Sequence, residues 1–199
     1  MDTMIAPIRK SNEFEYPVMD LIELRRSRRA YSSQSIEAEK IQSLFEAARW
    51  APSSMNEQPW TYIFATRDQP MLWNKLLDTL NESNRIWAAS APLLILSTAR
   101  RIHIRNGASN GSARYDVGSA NAFLSMQATY LGLNVHQMGG YDRQQAIDSF
   151  NIPETHEPMV IIAIGYPGDA EHLPEKLQLR EVAPRERYTQ EFFVMNKEF

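Results

Sequence analysis

Cysteine is missing altogether from the 199-residue sequence. That absence removes disulfides, thiolate nucleophiles and cysteine-ligated zinc or iron–sulfur centres from consideration. Redox chemistry on such a chain needs a bound cofactor. Histidine is scarce: His103, His136, His156 and His172 lie without metal-ligand spacing and read as structural, so no metal is expected. There is no glycine-rich dinucleotide fingerprint and no Walker motif, which argues against a nicotinamide cofactor on a Rossmann unit or a triphosphate on a P-loop. No stretch approaches the roughly 20 apolar residues of a membrane span. The N-terminal residues carry Asp2, Arg9 and Lys10 in place of a signal-peptide apolar core, so a cytoplasmic address is expected. An excess of positive charge is also lacking: the formal net charge is −3, against the basic balance of general nucleic-acid or membrane-surface binders.

What the chain does have is apolar content, 43% by composition, enough for one sizeable core. Residues 1–16 show no clear period and read as an N-terminal arm; residues 17–199 read as a single domain. Val18, Leu21, Ile22 and Leu24 predict a short helix over about 18–26. Ser35 is placed to cap a second helix running to about Trp50, with Ile41, Leu44, Phe45 and Ala48 on its core face. Residues 61–66 read as a strand, and Asp68 and Pro70 as the start of a helix burying Leu72, Leu76, Leu77 and Leu80. The continuous apolar run 92–97 predicts a central strand buried on both faces. Residues 100–114 hold Asn106-Gly107 and Asn110-Gly111 and form the best candidate for a mobile loop. A helix over 113–131 follows, its core face including Val117, Phe123 and Leu124, and Gly132 suits its end. Gly118 and Ser119 thin one face of it, which suits close packing against a core or a second subunit. Residues 134–138 and 159–164 read as strands around a short helix over 142–150. The last thirty residues show little core pattern beyond Phe192, Phe193 and Val194, so they need a docking surface, which a partner subunit would provide.

Two polar stretches stand out. Arg25, Arg26, Ser27, Arg28 and Arg29 follow the first helix. A charged, solvated helix end is one reading. The density of cations exceeds what a helix C-terminus gains, about 0.3–1 kcal/mol per cation, and guanidinium with hydroxyl is a phosphate-binding set. In residues 51–60, Pro52 and Pro59 stop any helix, while Ser53, Ser54, Asn56 and Gln58 offer donors and acceptors suited to a polar heterocycle. The same composition also suits a solvated connector. Gly139 and Gly140 permit close backbone approach to a flat ligand, or simply a tight turn.

With these segments in order, the chain resembles the FMN-dependent nitroreductases. That family carries an Arg-x-Ser-x-basic-x-aromatic run, matched at residues 25–31, and a Pro-Ser-Ser-x-Asn-x-Gln-Pro-Trp loop, matched at residues 52–60. Gly118-Ser119-Ala120, Leu131-Gly132-Leu133, Met138-Gly139-Gly140-Tyr141, Ile164-Gly165-Tyr166-Pro167 and Ala183-Pro184-Arg185-Glu186-Arg187 are similar too. Alternating strands and helices favour layers, and the resemblance refines them to an α+β fold with a mostly antiparallel central sheet and a C-terminal tail docking on the partner of a homodimer. It implies FMN as cofactor and NAD(P)H as donor. Arg25, Arg26, Ser27, Arg185 and Arg187 fall on the phosphate, and Arg29, with Arg85 as a weaker match, near flavin N1. Pro52, Ser53, Ser54, Asn56 and Gln58 fall over the ring from the other subunit, and Met138, Gly139 and Gly140 near N5. Gly139 stands where many members have glutamate. The implied activity passes electrons from NAD(P)H to a nitroaromatic, quinone or similar small oxidant by a ping-pong mechanism, with no catalytic side chain. A flavin-storage or regulatory protein is the alternative, and a basic run for another anionic partner the third reading.

Overall fold

The computed structural model describes residues 8–10 by backbone alone, and residues 14–196 and 198. Its elements are β1 (Ile8–Lys10), α1 (Asp20–Leu24), α2 (Ala38–Arg49), β2 (Trp60–Thr66), α3 (Pro70–Asp78), α4 (Glu82–Ala88), β3 (Leu93–Arg100) and α5 (Ala113–Tyr130). There follow β4 (Asn134–Met138), α6 (Arg143–Phe150), β5 (His156–Gly165), α7 (Glu175–Val182), β6 (Glu186–Tyr188) and α8 (Gln190–Phe193).

The sheet order is β2-β3-β5-β4, and every pair in it is antiparallel. Strand β3 is central, and Leu93 to Ala99 are all buried, as its unbroken apolar run predicts. Alternation then assigns its faces. Leu94 and Leu96, with Ile161 and Ala163 of β5, pack against Trp73 and Leu76 of α3 and Trp87 of α4. Leu93 and Ile95, with Ile162 and Ile164, pack against Ile41 and Leu44 of α2 and Ala120 and Leu124 of α5. Each fully buried Leu or Ile contributes about 1.5–3 kcal/mol, so the two helical layers are held to the sheet by comparable cores. This is the α+β arrangement with flanking helices.

Several local expectations are corrected. Ser35 does not cap α2: Ile36 is drawn into the core, residues up to Glu37 stay extended, and the helix starts at Ala38. Asp68 does not cap α3, because its carboxylate takes the Thr66 hydroxyl in the preceding turn and Gln69 occupies the cap position. Phe123 lies 44% exposed. The buried stripe of α5 runs through Asp116, Val117, Ala120, Asn121, Leu124 and Ser125, and its polar members disguise it in sequence. Helix α4 was not expected at all; Asn81 caps it by accepting the Asn84 amide at 3.0 Å. The candidate mobile loop is tied down: Ile102 bridges Ser109, the Asn110 amide donates to Arg101 O at 2.7 Å, and Asn110 is buried.

The tail finds its docking surface on its own chain as far as Tyr188. Leu173 is buried in the α3–α4 layer, α7 follows, and β6 pairs antiparallel with β1. The expected N-terminal arm therefore includes a paired strand, and its residues 1–7 and 11–13 lie outside the described residues. Phe192, Phe193 and Val194 remain exposed.

Candidate functional site

Helix α1 stops at Leu24, and Arg25 is already extended at φ −61° and ψ 121°. The basic run continues along the edge of the sheet, where Ser27 forms a parallel bridge with Val135 of β4. From this extended run Arg26 donates to Ala183 O and Arg28 to Glu181 O, both at the C-terminal end of α7. Arg185 reciprocates. Its guanidinium donates to Ile22 O, Glu23 O and Arg25 O at 3.2, 2.9 and 3.0 Å, satisfying carbonyls left open where α1 ends. Each segment thus caps the other's helix, and the two enclose a pocket of about 250 Å³.

Among the described residues six arginines line that pocket, Arg25, Arg26, Arg28, Arg180, Arg185 and Arg187, with Ser27 and one carboxylate, Glu181. Burial, and then the charges of Arg185, Arg187 and Arg26, pull Arg25 below the usual arginine pKa. Arg25 Nη1 reaches Ser27 Oγ at 3.4 Å, and Arg187 Nη1 donates to Glu186 O at 2.7 Å. A cluster of like charges in a half-buried hollow is suited to a multivalent anion, which relieves their repulsion. Arg29 is placed differently. It lies 4.0 Å from Glu181 and 5.8 Å from the Trp87 ring centroid, behind the run.

Residues 52–58 form an exposed loop at the other edge of the sheet, leading into β2. Met55, Asn56 and Gln58 have φ of 53°, 55° and 47°, a left-handed conformation that non-glycine residues adopt at some cost. The loop is held by three contacts: the Ser54 amide donates to buried Asp116 at 3.2 Å, the Gln58 amide to Ser53 Oγ at 3.1 Å, and Arg100 Nη2 to Glu57 O at 2.7 Å. Glu57 also accepts the Ile104 amide and lies beside His103 at 3.3 Å and Arg100 at 3.5 Å, which together hold its carboxyl below the usual range. Three interstrand spacings of about 4.8 Å separate the edge strands β2 and β4, so one chain keeps this loop and its arginine pocket apart by at least about 14 Å.

Met138 ends β4 and is buried as a whole residue, 2% exposed, so it presents neither side chain nor backbone to solvent in the single chain. Among the described residues a Cβ on Gly139 would meet nothing within 4 Å, whereas one on Gly140 would come 2.4 Å from Asn81 Nδ2 and 2.7 Å from Asn84 Nδ2. Gly140 is small because α4 packs on it, with Asn84 Nδ2 donating to its carbonyl at 3.0 Å. His136, behind the basic run, has Nδ1 3.1 Å from Arg28 O and its ring 4.6 Å from that of Trp87. Burial, and then Arg29, lower its pKa to about 4. Arg85 is exposed on α4.

The structure therefore brings Arg25, Arg26, Ser27, Arg185 and Arg187 together and leaves Pro52, Ser53, Ser54, Asn56 and Gln58 as a separate group. Sequence reasoning missed Glu181, Asp116 and Glu57, which hold these groups in place. The only signal was an acid among poorly patterned residues.

Comparison with known proteins bears on the fold and the family. A solved structure of an oxidoreductase containing FMN superposes with a TM-score of 0.89 at 31% identity, covering 94% of this chain and 95% of that one. A protein of Archaeoglobus fulgidus, provisionally named an NADH dehydrogenase/NAD(P)H nitroreductase, is 28% identical over 76% of this chain and 86% of its own length. A nitroreductase family protein from Clostridium difficile shares the fold, with a TM-score of 0.70 at 24% identity over 92% of this chain and 100% of that one. The model of the nitroreductase family matches residues 22–166. The chain belongs to the nitroreductase family, a family of oxidoreductases.

Proposed function

We propose that the chain is an NAD(P)H-dependent FMN oxidoreductase acting on nitroaromatics, quinones or similar small oxidants. The observation that carries this reading is the pocket lining, which among the described residues sets six guanidiniums and a serine hydroxyl against one carboxylate. A phosphate monoester carries about −1.5 to −2 charge at neutral pH and accepts several charge-assisted hydrogen bonds, so the donor set fits the FMN phosphate. The FMN of the oxidoreductase with TM-score 0.89 and the NAD(P)H in the name of the archaeal relative support the same cofactors.

FMN, when bound, supplies the atom that accepts and donates hydride. The chain's residues bind and orient it. Arg25, Arg26, Ser27, Arg185 and Arg187 would hold the phosphate. Arg29, fixed by Glu181 and backed by Trp87, would hold positive charge near the ring. Gly139 and Gly140 would contribute backbone, with Met138 buried behind them, and the open space at Gly139 leaves room for a reacting partner, which favours a reductase over a storage protein. Pro52, Ser53, Ser54, Asn56 and Gln58 would come from a second copy of the chain, since one chain holds them at the far edge of its sheet. Tyr115, Phe123 and Tyr130 on the outer face of α5, and Phe192, Phe193 and Val194 in the tail, are exposed apolar groups that a homodimer would cover. Donor and oxidant would take turns in one space, giving ping-pong kinetics with parallel double-reciprocal lines. We place the protein in the cytoplasm.

Purified protein is expected to be yellow, to release FMN on denaturation, and to oxidise NADH or NADPH when an oxidant is added. Colourless protein that also fails to take up added FMN contradicts the reading.

A further inference from the structure

A second cavity, of about 540 Å³, opens where α5, α6 and β5 begin. Its apolar wall includes Ile147 and Ile152, both packed against the core, and its polar wall carries Arg101, Arg114 and Arg143 with Gln144, His156 and the carboxylates of Glu154 and Glu157. Glu157 organises the arginines. Its side chain is only 13% exposed and accepts from Arg114 Nε and Nη2, each at 2.9 Å, and from Arg143 Nη1 at 2.6 Å. The guanidiniums themselves are outermost, their side chains 69% and 52% exposed. Arg101 is fixed separately, donating to Glu154 O at 2.9 Å. The Glu157 charge is thus sunk beneath two positive groups, and the cavity shows three cations and one exposed carboxylate, Glu154, beside an apolar surface.

A bare anion does not need this volume, and an uncharged aromatic does not need three arginines. The size lies in the range of small-molecule sites, about 300–1,000 Å³. Arg143 follows Gly140 by three residues, so the chain separates them by at most about 11 Å. A ligand lying along the surface from the open space at Gly139 would reach the cavity.

We propose that this cavity binds the adenosine 2′-phosphate end of the nucleotide donor, the base against Ile147 and Ile152 and the phosphate on Arg101, Arg114 and Arg143. The inference rests on the NAD(P)H reading above and deepens it, because arginine recognition of a 2′-phosphate selects NADPH over NADH.

The test is calorimetric titration of the purified protein with 2′,5′-ADP, with adenosine and inorganic phosphate as the two halves of the probe. Saturable binding of 2′,5′-ADP about tenfold or more tighter than either half is expected, weakening about tenfold in Arg143→Ala and in Arg101→Ala. Arg101 stands outside the Glu157 pairings, so its variant keeps the test sound if Arg143→Ala folds poorly. In turnover, both variants should raise KM for NADPH by a similar factor and leave KM for NADH nearly unchanged. Absence of saturable binding, inorganic phosphate binding as tightly as 2′,5′-ADP, or undiminished binding in both variants overturns the proposal. Flavin absorbance of the same sample separates the two readings. Yellow protein that ignores 2′,5′-ADP sinks this inference alone, whereas protein unable to hold FMN sinks the functional reading while the titration still reports on the cavity.

Discussion

Glu181 and Arg29, 152 residues apart, are joined twice: the Arg29 amide donates to both Glu181 carboxylate oxygens at 3.0 and 3.1 Å, and its guanidinium lies 4.0 Å from the same group. The Ala30 amide adds a third donor at 3.2 Å. One buried carboxylate in the tail therefore fixes the backbone of the basic run.

Glu181→Ala leaves two amides and a half-buried guanidinium without that acceptor. A loss of about 1.5–3 kcal/mol in unfolding free energy is expected, with faster cleavage of the tail in limited proteolysis. Unchanged stability and an equally resistant tail would mean that Glu181 does not hold the clasp.

The layers were legible in the sequence because they rest on apolar period: the unbroken run of β3 and the three-and-four spacing of α2 announce themselves. The buried stripe of α5 did not, since Asp116, Asn121 and Ser125 occupy it and are satisfied by distant partners such as the Ser54 amide and Tyr62 OH. Helix α7 was hidden for a related reason: it is held through Glu181 and through carbonyls that Arg26 and Arg28 cap, with little apolar burial of its own. Of the site, Arg25, Ser27 and Arg185 could be named from motif, but the reciprocal capping that brings them together spans the whole chain. Periodicity carries no information about such contacts.

His136 predicts a pH dependence. Its folded pKa of about 4 lies below the unfolded value near 6.5, so between these the unfolded chain binds more protons and stability rises with pH. The contribution is fully present above about pH 6.5 and is lost as pH falls towards 4, to a total of up to about 3 kcal/mol. Denaturant midpoints from pH 7 to 4 should fall less steeply in His136→Gln than in the wild type. Parallel curves would show that His136 is not the group responsible.

The adjacent glycines should behave differently. Gly140→Ala must displace Asn81 and Asn84, and is expected to cost about 1–3 kcal/mol of stability. Gly139→Ala meets nothing among the described residues and should leave the melting temperature nearly unchanged while weakening FMN binding or turnover. Equal stability loss in both would show that the open space at Gly139 does not exist in solution.

If each site draws its 52–58 loop from a second chain, two defective chains can complement. Arg25→Ala and Asn56→Asp chains, each expected to be weak alone, should regain one intact site per mixed dimer when refolded or expressed together. Activity no higher than the average of the two parents would indicate that each site is built from one chain.

The placement of FMN on the arginine pocket is tested most directly by comparing flavins that differ only in the phosphate. Flavin-free wild-type protein and Arg25→Ala should each be titrated with FMN and with riboflavin. The wild type is expected to prefer FMN strongly, and Arg25→Ala should weaken FMN by about 10- to 100-fold, equivalent to about 1.5–3 kcal/mol, while leaving riboflavin almost untouched. Equal affinity of the wild type for the two flavins, or an equal loss of both in Arg25→Ala, would contradict it.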